Sequence, residues 1–182
     1  MNLNHGTQIK FFFVISFILL GTVFSLTGQT ITTPKQQFGH DIGDDYWLAT
    51  YSQLVEYWKV LSDQSDRMIL EEIGTTEEGR TMMMAVITSP ENHARLNEYK
   101  QIARKMALAE NINDKEAREL AQTGKAVVWI DGGLHATEVV GAQQEIELVY
   151  QMVSRSDRET LRILDNVILL ALITNPDGME LV

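Results

Sequence analysis

The chain has 182 residues, a formal net charge of -10, 45% hydrophobic residues and no cysteine. That composition supports a packed core, which excludes a disordered polyelectrolyte, and it leaves no disulfide framework. The acidic balance argues against nonspecific nucleic-acid binding and against adhesion to anionic membranes, because the long-range field repels both.

Residues 1–28 stand apart. Lys10 precedes FFFVISFILLGTVFSL, an apolar run too short and interrupted for a comfortable membrane span, and the segment reads as a secretory signal peptide cut near Gly28. The expected location is periplasmic or extracellular, with an uncleaved membrane anchor as the alternative and the export machinery as the membrane partner. Residues 29–47 form a lead-in segment. Within it, Thr32 to Asp45, with Pro34, Gly39 and Gly43, is expected to be a loop. Residues 48–182 are expected to form part of one domain.

In that domain, Leu54, Val55, Trp58 and Leu61 recur at helical spacing and predict a helix over about 52–61. MILEEIG and TMMMAVITS predict two strands, and the turn-rich TTEEGR between them is short enough for an antiparallel hairpin. Met82, Met83 and Met84 alternate faces in such a strand and read as packing residues rather than copper ligands. Ser89, Pro90 and Glu91 make a helix start, followed by an apolar face of Leu96, Tyr99, Ile102, Ala103 and Met106. A second helix is expected from Asn113, with Glu116 completing a capping-box-like pair, to a stop before Gly124. His93 falls on the polar side of the earlier helix and reads as a surface residue, as does His40.

AVVWID is a continuous apolar run of the kind expected in a strand covered on both faces. A helix from about Glu138 to Val153 follows it, then a charged connector with a short helical piece, RETLRIL. NVILLALIT predicts a second buried strand, which NPDG would close with a turn. Strand, helix and strand at this spacing imply a right-handed crossover. The fold class is therefore α/β, with a mixed, largely parallel sheet and helices on both faces.

The chemistry concentrates in GGLHATE. In open α/β sheets, ligands bind beyond the carboxyl ends of strands, which is where GGLHATE and NPDG fall. His135 and Glu138, separated by two residues as a helix opens, can turn toward one ion, and imidazole nitrogen with carboxylate oxygen suits Zn2+. His-x-x-Glu alone is a weak signal; the glycines, the preceding strand, the helix and the second strand give it context.

Three segments in order, IGTTEEGRTMMMAVIT, WIDGGLHATEVVG and LITNPDGMELV, resemble the zinc carboxypeptidases of the funnelin type, peptidase family M14. The helical insert before AVVWID resembles a group of large exported bacterial members. The resemblance implies a metallocarboxypeptidase that hydrolyses C-terminal peptide bonds, a peptide or protein substrate with a free C-terminus, Zn2+ as cofactor, and His135 and Glu138 as ligands. Glu138 would then be a ligand and not the general base. Thr137 stands where many digestive members carry an arginine. In the family the third ligand, a histidine, lies downstream of Asn-Pro-Asp-Gly, as do the arginine that grips the substrate carboxylate and the glutamate that activates water. This chain ends at Val182, so the expectation is an N-terminal portion of the catalytic domain that is inactive by itself. The rival readings are a zinc deacylase of N-acyl amino acids and a noncatalytic cell-surface binding module.

Overall fold

The computed structural model describes residues 30–182, so the signal-peptide reading lies outside the described residues. Thr33 opens the first element, α1 (Pro34–Phe38): its side chain accepts from the Gln36 N–H, the Gln36 side chain returns the bond, and Gly39 ends the helix at φ +77°. This reciprocal cap corrects the expectation of a loop here, because Thr-Pro-Lys-Gln supplies a start and glycine a stop within one short stretch. The same capping box, built from Thr50 and Gln53, begins α2 (Tyr51–Gln64), whose Leu54, Tyr57, Trp58 and Leu61 are buried.

The hairpin forms as expected from β1 (Met68–Thr75) and β2 (Thr81–Ile87), antiparallel with an irregularity between Glu72 and Gly74. The Ser89 cap starts only a short helix, α3 (Pro90–His93); the chain then breaks at Ala94–Arg95 before α4 (Leu96–Leu108). Asn113 caps α5 (Asp114–Thr123) by accepting from two backbone N–H groups. The Glu116 side chain takes no part in a reciprocal box, pairing instead with Lys105 on α4.

The remaining elements are β3 (Ala126–Gly132), α6 (Val139–Ser154), α7 (Arg158–Asn166), β4 (Val167–Ile173) and α8 (Pro176–Leu181). The sheet order is β1-β2-β4-β3. β2 and β4 are antiparallel, and β3 and β4 are parallel, so the parallel part of this mixed sheet is the crossover pair around α6.

Helices cover both faces. On one, Ala85 and Ile87 of β2 and Leu169, Ala171 and Ile173 of β4 pack with α2 and α6 in the main core. On the other, Val86 and Ile168 meet Tyr99 of α4 in a smaller cluster. NVILLALIT is buried as expected, but the expectation that AVVWID is covered on both faces fails. β4 is central and buried, whereas β3 is an edge strand with Val127, Val128 and Trp129 exposed, Trp129 by 56%. The apolar edge is therefore AVVWID. An uninterrupted apolar run identifies a strand that can be buried, but the order of strands decides which one is. NPDG is likewise more than a turn: Asn175 accepts from the Gly178 N–H and Pro176 occupies the first helical turn of α8.

Candidate metal centre

The parallel pairing brings the carboxyl ends of β3 and β4 side by side, with Gly132 opposite Ile173. The chain leaving β3 must then turn while α6 comes down close against the strand. A Cβ on Gly132 would lie 2.6 Å from the carbonyl oxygen of Gly141, so only glycine permits that approach, and Gly133 turns the chain at φ +67°. Thr174 fastens the other side: its N–H donates to the Gly132 carbonyl at 3.0 Å and its hydroxyl to Asp131 at 2.9 Å.

The turn ends with the Glu138 N–H donating to the His135 carbonyl at 3.1 Å, and this closes the loop so that the two side chains emerge together. His135 Nδ1 lies 2.8 Å from Glu138 Oε2. Both side chains are well exposed, 68% and 69%, at the mouth of a cleft walled by Leu48, Ala136, Val139, Gln143 and Met179. Gln143 holds the far wall in place, since its buried amide donates to the Ala49 carbonyl and accepts from the Ala49 N–H.

The structure thus brings together the two residues singled out in the sequence. Among the described residues, no group of three or more His, Cys, Asp or Glu side chains gathers as a metal-binding cluster. His40 lies apart, stacked on Trp47 at 5.1 Å and facing Asp44, as its surface reading anticipates. His93 departs from that reading: both ring nitrogens are buried and lack hydrogen-bond partners.

Two carboxyls near the site escaped the sequence reading. Glu145, on α6, is buried with one oxygen unpartnered. Burial, and after it the Asp131 carboxylate, pushes its pKa up to about 8. The signal was present: Glu145 shares a helical stripe with Ala142, Ile146 and Val149, all buried. Asp177, in the first turn of α8, is enclosed by the β1–β2 connector. Burial raises its carboxyl, but the Arg80 guanidinium, the Thr76 hydroxyl and the Glu78 N–H outweigh that and leave it below the usual carboxylate range.

The family model described as zinc carboxypeptidase matches residues 54–182. Among solved structures, carboxypeptidase A from Helicoverpa armigera is similar with a TM-score of 0.51 and 18% identity, over 72% of this chain and 25% of that one. Thrombin activatable fibrinolysis inhibitor is similar with a TM-score of 0.55 and 12% identity, over 82% of this chain and 32% of that one. The chain therefore spans between a quarter and a third of the length of those structures. At such identities the likeness speaks for the fold. No curated protein matches the chain by sequence.

Proposed function

The chain belongs to the zinc carboxypeptidase family, and on that premise we propose that His135 and Glu138 are ligands of a catalytic Zn2+. The proposed reaction is hydrolysis of the C-terminal peptide bond of a peptide or protein. One observation carries the ligand assignment: an imidazole nitrogen and a carboxylate oxygen, both donors that zinc accepts, converge to 2.8 Å at the rim of a cleft beyond the sheet. The His135 imidazole and the Glu138 carboxylate are the two groups that would hold the ion, and both are donor types that zinc accepts. When bound, Zn2+ supplies Lewis acidity that polarises a scissile carbonyl and makes water a stronger acid.

The chain's own groups then have distinct tasks. His135 presents an imidazole nitrogen, Glu138 adds a carboxylate that favours a cation, and exposure of both leaves the rim open to a substrate. The family resemblance assigns the third ligand, the carboxylate-binding arginine and the general base to other segments of the fold. We therefore assign catalysis to a polypeptide that carries those groups together with this chain. The apolar run after Lys10 supports export of that protein.

Titration of the chain with Zn2+ by calorimetry tests the ligand assignment without relying on activity. The expected result is weak one-to-one binding that disappears in both His135→Ala and Glu138→Gln. Unchanged binding in these variants would refute the assignment and favour a noncatalytic role for the loop.

A further inference from the structure

The segment Asn175-Pro176-Asp177-Gly178 lies between the loop that carries His135 and the β1–β2 connector, and it makes specific contacts with each. On the connector side, three donors from one turn converge on the Asp177 carboxylate. The Thr76 hydroxyl donates at 2.8 Å, Arg80 Nη1 at 2.6 Å and the Glu78 N–H at 3.3 Å. The turn is itself closed, with the Thr76 N–H donating to the Arg80 carbonyl at 2.9 Å and the Arg80 N–H to the Thr76 hydroxyl at 3.0 Å. Asp177 is thus held by a preformed cradle.

On the loop side, Asn175 Oδ1 accepts from the Gly178 N–H at 2.9 Å, which fixes the orientation of its amide. The other end of that amide, Nδ2, donates to the Leu134 carbonyl at 3.3 Å. A Cβ on Gly178 would lie 2.9 Å from the Ala136 Cβ and 2.6 Å from Asn175 Nδ2, so glycine lets the segment seat against the loop. Leu134 and Ala136 are the two neighbours of His135. Since the His135 and Glu138 side chains are largely exposed, packing does little to orient them, and apart from their mutual hydrogen bond their direction depends on how the backbone is held.

We infer that Asn175 and Asp177 are positioning residues: the Asn-Pro-Asp-Gly segment is a platform that sets the direction of His135, and Thr76 with Arg80 is its brace. The consequence for metal rests on the proposed ligand role of His135; the consequence for loop order does not. A simpler role is that Asn175 only caps α8. The two roles separate in Asn175→Ser, because serine is a competent N-cap but is too short to reach the Leu134 carbonyl.

The test uses the full chain as parent, Asn175→Ser and Asp177→Asn, with amide hydrogen exchange followed residue by residue. The reporter is the Glu138 N–H, which closes the loop onto the His135 carbonyl. Both variants are expected to exchange about tenfold faster at Glu138 while β2 and β4 keep their protection. In parallel, Zn2+ affinity should fall about tenfold, as it does when groups that orient a ligand are removed. Unchanged exchange at Glu138 in Asn175→Ser overturns the platform, as does loss of protection spread equally over β2 and β4. If Glu138 loosens but neither these variants nor His135→Ala alters Zn2+ binding, the platform stands and the metal reading fails. Should Asp177→Asn not fold, Asn175→Ser decides alone.

Discussion

Glu145 shows how one residue can couple this fold to pH. Its carboxyl is buried beneath the β3–α6 contact, and its pKa rises from an ordinary 4.5 to about 8 through burial first and the Asp131 carboxylate second. An acid whose folded-state pKa is raised is neutral in both states below the lower value, so it carries no ionisation penalty there. Between 4.5 and about 8 the folded state holds more protons than the unfolded state, so stability falls as pH rises. Each unit of that window removes up to about 1.4 kcal/mol. Glu145→Gln keeps the shape and abolishes the titration. Urea unfolding should therefore find the variant more stable than the parent at the upper end of the window and close to it at the lower end; a pH-independent difference would contradict this account. Residue-level legibility followed distance in the chain. His135 and Glu138 lie in one short motif and could be read together, whereas Asn175 reaches Leu134 across 41 positions and Thr76 reaches Asp177 across 101. Such contacts leave no local pattern.

At the scale of elements, β3 offers the clearest consequence. Its outer edge leaves backbone donors and acceptors without a neighbouring strand among the described residues, and Val127, Val128 and Trp129 lie exposed along it. An apolar edge of this kind templates pairing with another strand, and a single lysine on it is an effective block. In sedimentation velocity the parent is therefore expected to self-associate through this edge and Trp129→Lys to run as a monomer, with unchanged far-ultraviolet dichroism. A parent that is already monomeric, or a variant that associates as the parent does, would contradict this. A contrasting element is α5, which buries no residue and rests on its Asn113 cap and its contact with α4. Asn113→Ala should cost about 1 kcal/mol locally. Its expected signature is faster exchange within α5 at an unchanged global urea midpoint. The sequence made most elements legible through apolar period and caps, and the hairpin through its connector length. It could not distinguish β3 from β4, because AVVWI and VILLALI are both uninterrupted apolar runs and the order of strands decides which has neighbours on both sides. Nor did it disclose the break at Ala94–Arg95, across which Asn92 of α3 donates to the Leu164 carbonyl while Tyr99 of α4 packs against Val86 and Ile168 and donates its hydroxyl to Asn92.

For the molecule as a whole, the decisive comparison is between the stability supplied by the core and that supplied by a metal. The described residues bury Leu54, Tyr57, Trp58 and Leu61 in the main core, where α2 meets β1, α6 and α8, and truncating one such leucine should cost about 2–5 kcal/mol. A metal stabilises only as far as the folded state binds it better than the unfolded state does. At a Zn2+ concentration equal to the dissociation constant that gain is about 0.4 kcal/mol, which moves the melting temperature of a chain this size by roughly 1–2 °C. With His135 and Glu138 as the proposed ligands, and no larger cluster among the described residues, this chain should fold around its core and not around zinc. Melting curves with chelator and with zinc at the dissociation constant measured by calorimetry should therefore differ by no more than that small shift, whereas Leu54→Ala should melt well below both. A zinc-dependent rise several times larger would mean that more groups reach the ion than these two. Loss of the folded state on chelation would reverse the order of dependence altogether, making the metal a structural element on which the sheet relies.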